Sequence, residues 1–313
     1  MSFGASRDGY GEALLELSSN EKVVVLEADL GKSTKSCWFR AKYPERTFSF
    51  GIAEQNMVLA AAGLASSGYI PFASTFSIFC ERAFEQMRNG VARPGYAVHL
   101  CGSHGGIHTG EDGSSAQAIE DLSVFRSIPK LTVLHPCDDI SARILTCQLA
   151  ESRHPSYTRT ARNKVPRLYE GKESVLRIGK GVTLRQGRDV AILAVGVMVH
   201  RALDAAQQLS KEGIEATVAD FHTLKPLDED LVGELAHRCG AFVTAEDHSL
   251  IGGLGGAVAE SLSQIHPVPL ERVGVKDRFG ESGKPEPLMD MMGLTAEDIV
   301  AAAKRAITRK ETN

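Results

Sequence analysis

The chain has none of the features that mark membrane or secreted proteins. No run of apolar residues approaches the roughly 18 that cross a bilayer, and the first 17 residues contain no basic region followed by an apolar core. The formal net charge is −4, which gives no reason to expect nucleic acid or an anionic membrane surface as a partner. We therefore expect a cytoplasmic protein that binds neither.

Cysteines at metal-binding or disulfide spacing are also missing. The six cysteines are scattered, and no two of them form a C-x-x-C pair. This argues against a zinc site or a disulfide framework and suits a reducing cytosol, so no metal ligand is assigned to this chain. The six are Cys37, Cys80, Cys101, Cys137, Cys147 and Cys239.

What remains is an ordinary globular composition in a long chain. Hydrophobic residues make up 43% and charged residues 24% of the 313 residues. At about 150 residues per domain, this length predicts two domains. A chain of this length buries roughly three quarters of its unfolded surface, so no covalent cross-links are needed for stability.

Short apolar runs alternate with helical patterns along the first half of the chain. Alternation of this kind predicts an α/β fold with a doubly wound parallel sheet, whose ligands bind at the carboxyl ends of the strands. Loops near Asp29, Gly51, Ser74, Gly102 and Arg159 each follow a predicted strand. We expect these loops to share one edge of the sheet.

A second, smaller α/β unit follows a segment rich in charge and glycine. We expect a first domain at 1–165, a linker at 166–188 and a second domain at 189–313. In the second domain, the glycines of IGGLGG at 251–256 lack the G-x-G-x-x-G spacing of a dinucleotide loop, and they indicate close packing before a helix expected from Gly256.

Other local expectations concern the ends of helices and loops. LGKSTKS, from Leu30, is expected to be a polar loop, and a helix is expected to begin at Ala116. The last helix, TAEDIVAAAKRAI, should have Thr295 as N-cap with Asp298 at the third helical position.

Glu54 opens an Ala-rich helix in the stretch FGIAEQNMVLAAAGLASSGYIPFASTFS. The helix is predicted to run to about Gly68 and is apolar on nearly every side, so it should be buried. A carboxylate at the mouth of a buried helix is costly without a partner. A purely structural alternative is that the helix dipole favours an acidic residue in the first turn.

Two aromatic residues and a glycine-rich loop follow. Phe76 and Phe79 are three residues apart, so they should share one helix face, either as core or as a wall for a flat ring. The loop CGSHGGIHTGEDG carries His104, His108 and Asp112. Taken singly, each feature is a weak signal.

In this order, however, GIAEQNM, STFSIF, SHGGIHTGEDG and FRSIP closely resemble the pyrimidine-binding domain of transketolases. The resemblance continues through AEDHSLIGGLGGAVAE and FGESGKPEPLM and covers nearly the whole chain. It implies two doubly wound α/β domains, a pyrimidine-binding domain and a transketolase C-terminal domain. It also implies a thiamine diphosphate-dependent enzyme that moves a two-carbon ketol unit from a ketose phosphate to an aldose phosphate.

The resemblance assigns roles around the cofactor. Glu54 matches the glutamate that contacts N1′ of the aminopyrimidine ring and so promotes loss of the C2 proton. An apolar environment would help this carboxyl group share a proton with the ring. Phe76 and Phe79 match the pocket around that ring, and Asp29, in EADLGKS, matches a residue near the thiazolium.

The resemblance also implies a sugar-phosphate site. Arg7, Ser33, His104 and Arg162 match the residues that hold the phosphate, and arginine suits this role because its fork fits phosphate oxygens. Asp112 matches the acceptor for a substrate hydroxyl. Ala116 is a departure, because the family commonly has histidine or glutamine there, and Gln117 follows one residue later.

The family's diphosphate and metal signature, a GDG segment with a downstream Asn, is missing from the sequence. We therefore expect the C-terminal subunit of a split transketolase, with thiamine diphosphate and Mg²⁺ held partly by a separate diphosphate-binding subunit. The chain should also pair with its own copy, giving a heterotetramer in which Ala60 to Phe84 forms an apolar interface. The alternatives are a deoxyxylulose-phosphate synthase-like subunit, a 2-oxoacid dehydrogenase beta-like subunit and a non-catalytic paralogue.

Overall fold

The computed structural model describes residues 2–312 and contains two large sheets. The strands are β1 (Phe3–Gly4), β2 (Val23–Glu27), β3 (Thr47–Ser49), β4 (Ile70–Phe76), β5 (His99–Ser103), β6 (Thr132–Leu134), β7 (Ser156–Thr160), β8 (Val165–Pro166), β9 (Val182–Arg185), β10 (Val190–Ala194), β11 (Ala216–Asp220), β12 (Thr223–Lys225), β13 (Phe242–Ser249) and β14 (Leu270–Val275).

The helices surround these sheets. They are α1 (Ser6–Glu16), α2 (Gly31–Thr34), α3 (Cys37–Lys42), α4 (Glu54–Ser66), α5 (Ser77–Cys80), α6 (Asp121–Arg126), α7 (Asp139–Leu149), α8 (Met198–Lys211), α9 (Glu229–Cys239), α10 (Leu254–Ile265), α11 (Pro285–Met291) and α12 (Ala296–Glu311). Within residues 2–312, no helix combines the length and the apolar character that crossing a membrane requires.

The first sheet has seven strands in the order β12-β6-β7-β5-β4-β2-β3. Six of them, β6 to β3 in that order, are parallel, and only β12 is antiparallel. The buried run VVVLE forms β2, as expected for a strand covered on both faces. The predicted doubly wound parallel sheet is therefore confirmed, and the carboxyl ends of its parallel strands lie along one edge.

The second sheet has five strands in the order β14-β13-β10-β11-β9. Strands β14, β13, β10 and β11 are parallel to one another, and the edge strand β9 pairs antiparallel with β11. Strand β9 lies inside the stretch expected to be a linker. Strand β12, which follows β11 in the chain, leaves this sheet and pairs with β6 of the first one. The two halves of the molecule are thus joined by strand pairing as well as by the connecting chain.

Buried side chains continue this connection through the interior. One hydrophobic cluster packs side chains of α4 and β4 together with those of β10, α9 and α10, so it lies between the two sheets. A second cluster lies on the opposite face of the five-stranded sheet beneath α8 and α12. A third lies on the outer face of the seven-stranded sheet beneath α1 and α7.

Several local expectations were wrong. LGKSTKS is not simply a loop, because α2 forms within it. The helix expected from Ala116 begins only at Asp121, since the preceding residues form turns: the Ala116 N–H donates to the Gly113 carbonyl at 3.0 Å. Helix α10 begins at Leu254 rather than Gly256, and α11 was not expected at all.

The N-terminus of α12 is capped as the sequence predicts. The Asp298 N–H donates to the Thr295 hydroxyl at 3.1 Å, and the Thr295 N–H donates to an Asp298 carboxylate oxygen at 3.1 Å. Each side chain therefore satisfies a backbone donor that the helix itself cannot.

Replacing Thr295 tests this cap. Thr295→Ala should lower the free energy of unfolding by about 1 kcal/mol, because one backbone N–H loses its acceptor. Thr295→Ser keeps the hydroxyl and should stay close to the parent protein. Urea denaturation followed by far-UV circular dichroism measures the difference, and equal stabilities for the two variants would contradict a role for the cap.

Candidate active site

The residues predicted to form the site lie along the carboxyl edge of the seven-stranded sheet. Glu54 follows β3, Ser33 follows β2, Phe76 ends β4, His104 follows β5 and Arg162 follows β7. These five strands are consecutive neighbours in the sheet. At about 4.8 Å between strands, the row spans roughly 19 Å.

Glu54 begins α4 and is only 4% exposed, yet it is not a lone carboxylate. The Arg82 guanidinium donates to both Glu54 carboxylate oxygens, at 3.2 and 3.3 Å. The same guanidinium lies over the Phe79 ring, 4.5 Å from its centroid. Glu54 and Arg82 line a surface cleft of about 520 Å³. Arg82 is therefore the partner that a buried carboxylate at a helix start requires, and it makes the surroundings of Glu54 less apolar than expected.

Helix α4 is less buried than its composition suggests. Met57 and Val58 are fully buried, but Leu59 is 49% exposed and Ile52, just before the helix, is 77% exposed. The helix is apolar on nearly every side, but one of these sides faces outward. The expectation that the whole helix is buried within this chain was therefore wrong.

Phe76 and Phe79 form a stacked pair, with ring centroids 5.7 Å apart and 13° between the ring planes. They do not share a helix face, because Phe76 is the last residue of β4 and α5 begins at Ser77. Both side chains are half-buried rather than core. Phe76 also stacks on the His104 ring, with the centroids 4.0 Å apart, so three flat rings are in contact.

His104 links the aromatic rings to the cationic end. Its Nε2 lies 3.5 Å from an Arg7 guanidinium nitrogen, and its Nδ1 lies 2.8 Å from the Ser103 hydroxyl. Because arginine can only donate, Nε2 accepts and the proton is on Nδ1. Burial, reinforced by Arg7, Arg162 and Lys35, lowers the pKa of His104 to about 3. The ring is therefore neutral at physiological pH.

Arg7 and Arg162 converge beyond His104. Arg7 donates to the Ser33 carbonyl at 3.3 Å, and Arg162 donates to the Thr109 carbonyl at 3.1 Å and lies 3.4 Å from Asp112. Burial lowers the pKa of Arg7, and the nearby charge of Arg162 lowers it further. In residues 2–312, the buried Nε of Arg7 has no hydrogen-bond partner. Two converging cations with a spare donor suit an anion.

Three residues stand apart from these contacts. Asp29 is exposed, in a left-handed backbone conformation with φ of 60°. Ala116 is half-buried, and Gln117 beside it is buried. The Gln117 carboxamide donates to the Gly110 and Glu281 carbonyls at 3.0 and 2.9 Å. It therefore holds the loop to the C-terminal unit and does not replace the polar group missing at Ala116.

Gly252, Gly253 and Gly255 are closely packed, as predicted, whereas Gly256 has room for a Cβ. The buried Glu246 carboxyl group accepts the Leu254 and Gly255 N–H groups at 2.7 and 2.8 Å, and so fills the helix N-terminus where an anionic ligand would otherwise bind. A Cβ at Gly253 would overlap Glu246.

Sequence reasoning missed Arg82 and Asp247. Arg82 lies three residues after Phe79, a spacing that places both on one side of a helical segment. The role of Asp247 was harder to predict, because the sequence does not indicate which backbone groups a carboxyl group near a strand end will contact. It accepts the Ile107 N–H at 2.8 Å and the His108 N–H at 3.0 Å.

Comparison with known proteins identifies the family of the chain. Residues 5–167 match the family model described as transketolase, pyrimidine binding domain, and residues 179–299 match transketolase, C-terminal domain. A putative transketolase C-terminal section from Methanocaldococcus jannaschii is 44% identical over 94% of this chain and 93% of its own. A 6-deoxy-6-sulfo-D-fructose transketolase subunit from a Clostridium species is 42% identical over 97% of this chain and 95% of its own.

Full-length and solved relatives extend the comparison. Human transketolase is 36% identical over 97% of this chain but only 49% of its own length. A split-gene transketolase, solved as an inactive β4 tetramer, is 47% identical and superimposes with a TM-score of 0.91 over 98% of this chain and 99% of its own. The chain belongs to the transketolase family and corresponds to the C-terminal subunit of a split transketolase.

Proposed function

We propose that this chain is the aminopyrimidine- and sugar-binding subunit of a two-chain transketolase that transfers a ketol unit between sugar phosphates. The observation that carries the proposal is the row of contacts from Glu54, through Arg82, Phe79, Phe76 and His104, to Arg7, with Arg162 lining the same cleft as Arg7. One end offers a carboxylate beside aromatic faces, and the other offers converging cations.

The residues at the first end fit an aminopyrimidine ring. The stacked Phe76 and Phe79 provide flat apolar faces, and Glu54 provides a buried carboxylate that can exchange a proton with a ring nitrogen. Thiamine diphosphate, when bound, would supply the nucleophilic carbon and the electron sink. This chain's residues would orient the ring, exclude water and hold the proton at Glu54.

Arg82 already makes both contacts that such a ring would make, one to the Glu54 carboxylate and one to the Phe79 face. Its side chain is 50% exposed, so it can swing outward into solvent. We infer that Arg82 yields its place beside Glu54 when the ring enters.

The residues at the second end fit the terminal anion of a sugar. Arg7 and Arg162 would donate to a phosphate, and neutral His104 would add a hydrogen bond without adding charge. Asp112, 3.4 Å from Arg162, remains near enough to accept from a sugar hydroxyl. The Clostridium relative is named for a sulfonated sugar, and the same cations would also hold a sulfonate. With Ala116 on the loop, the reacting oxygens lack a polar contact that the family commonly provides.

The partner subunit is proposed to hold the diphosphate and Mg²⁺. Support comes from relatives of matching length, a transketolase C-terminal section and a split-gene transketolase that is inactive as a β4 tetramer. Among the large apolar side chains exposed in residues 2–312, Ile52 and Leu59 flank Glu54, whereas Tyr69 alone lies between Ala60 and Phe84. We therefore propose that the interface includes Ile52 and Leu59, rather than the stretch from Ala60 to Phe84.

Reconstitution tests the proposal directly. The purified chain should show no ketol transfer from xylulose 5-phosphate to ribose 5-phosphate, since it is proposed to lack half of each site. Activity should appear when the diphosphate-binding subunit, thiamine diphosphate and Mg²⁺ are added. Normal turnover by the chain alone would overturn the split, and turnover of pyruvate by the complex would favour a related thiamine enzyme instead.

Glu54→Gln tests the proton-holding role. The amide keeps the shape of the side chain but cannot accept a proton, so activity of the reconstituted enzyme should fall about 10² to 10⁴-fold. Hydrogen–deuterium exchange at C2 of the cofactor should slow in parallel. Glu234→Gln, the same change at an exposed site on α9, is the control and should match the parent. Unchanged C2 exchange in Glu54→Gln would rule out the assigned role.

Arg162→Ala tests the anion end. Loss of a charge-assisted hydrogen bond worth about 1.5–3 kcal/mol should raise the KM for phosphorylated sugars roughly 10- to 100-fold. Glycolaldehyde, which carries no anion, should be affected far less. Arg238→Ala on α9 removes an equivalent charge far from the row and serves as the control. Equal effects of Arg162→Ala on both acceptors would mean that Arg162 is purely structural.

A further inference from the structure

The loop that carries His104 and Asp112 is buried beneath the C-terminal unit. Residues 101–110, which run from the end of β5 into this loop, are all buried, although β5 belongs to the other sheet. The clearest contact across the junction is at Asp247, near the end of β13. Its carboxyl group is 1% exposed and accepts two backbone N–H groups, from Ile107 at 2.8 Å and from His108 at 3.0 Å.

Those two N–H groups open the short helical turn Ile107–Thr109. The Thr109 carbonyl at the end of the same turn accepts from the Arg162 guanidinium at 3.1 Å. Asp247 is therefore connected to Arg162 through three consecutive residues. A shift of the turn would move the carbonyl that orients Arg162.

The backbone of the loop is shaped for this contact. Gly106 has φ of 83°, and a Cβ there would overlap the Asp247 carboxyl group. The carboxyl group can approach two successive N–H groups only because no side chain intervenes at this position.

We propose that Asp247 is a positioning residue of the C-terminal unit, which sets the geometry of the anion-binding end by fixing the Ile107–Thr109 turn under Arg162. This inference rests on the proposed role of Arg162. It gives the C-terminal unit a part in substrate binding, although none of its residues belongs to the row of site contacts.

The neighbouring residue provides a matched control. Glu246 precedes Asp247 on β13, is equally buried and also accepts two backbone N–H groups. Successive strand residues point to opposite faces, so Glu246 caps α10 of its own unit whereas Asp247 reaches the loop of the other. Replacing each residue in turn distinguishes two effects. Both replacements remove a buried, hydrogen-bonded carboxyl group, but only the one at Asp247 removes the contact with the Ile107–Thr109 turn.

The experiment compares Asp247→Asn with Glu246→Gln in the reconstituted two-chain enzyme. Each amide keeps one acceptor oxygen and places an NH₂ group against a backbone donor, so both should lower stability. Only Asp247→Asn should raise the KM for phosphorylated acceptors. We expect about a 10-fold increase, because a misplaced Arg162 would lose about one hydrogen bond to the substrate. Its KM for glycolaldehyde should stay within about two-fold of the parent value.

Hydrogen–deuterium exchange of the chain gives a readout that does not need activity. Asp247→Asn should speed exchange in the peptide containing Ile107 and His108, and Glu246→Gln should speed it at the start of α10. If Asp247→Asn exchanges faster at the turn yet leaves both KM values unchanged, or if Glu246→Gln has the same substrate-selective effect, the inference is wrong. If Arg162→Ala also leaves the KM for phosphorylated sugars unchanged, the proposed function has failed instead.

Discussion

The guanidinium of Arg159 is a positive charge with no exposure to water, placed where the two halves of the molecule meet. Such burial costs several kcal/mol unless counter-charge and acceptors surround the group. Asp121 lies 3.5 Å from its Nε, and its Nη2 donates to the Ala118 carbonyl at 2.9 Å, whereas Nε and Nη1 make no hydrogen bond within residues 2–312. A Cβ at Gly105 or Gly106 would overlap this guanidinium, so the site loop can pass over Arg159 only with glycine at both positions.

The two ends of the site next to this junction differ in charge. At one end, Arg82 neutralises the buried carboxylate of Glu54. At the other, Arg7 and Arg162 line one cleft, where burial, with the nearby charge of Arg162, lowers the pKa of Arg7. Asp112 and Glu111 lie 3.4 Å from Arg162 and balance part of this charge. The two ends thus suit the ligand proposed above, which is flat at one end and anionic at the other.

Much of the frame could be predicted from the chain. Buried runs such as VVVLE specify parallel strands, because only a strand covered on both faces is apolar throughout, and strand ends then place the site loops along one edge. The environment of Glu54 could not be predicted. A sequence shows that Arg82 is present, but whether its long side chain reaches Glu54 depends on how β4 ends and where α5 begins. The start of α6 was misjudged for a similar reason, since the Gln117 side chain bonds to distant Glu281 and holds the preceding residues in turns.

The sequence by itself determined the family, the two α/β units, the placement of the site loops at one edge of the sheet and the Thr295 cap, because these depend on local patterns and short motifs. Only the tertiary structure decided that β12 crosses to the first sheet, that Arg82 pairs with Glu54 and that Asp247 holds the turn beneath Arg162. Each of these is a contact between residues distant in sequence or between long side chains. Its geometry is set by the packing of the two sheets against each other, which no local pattern encodes.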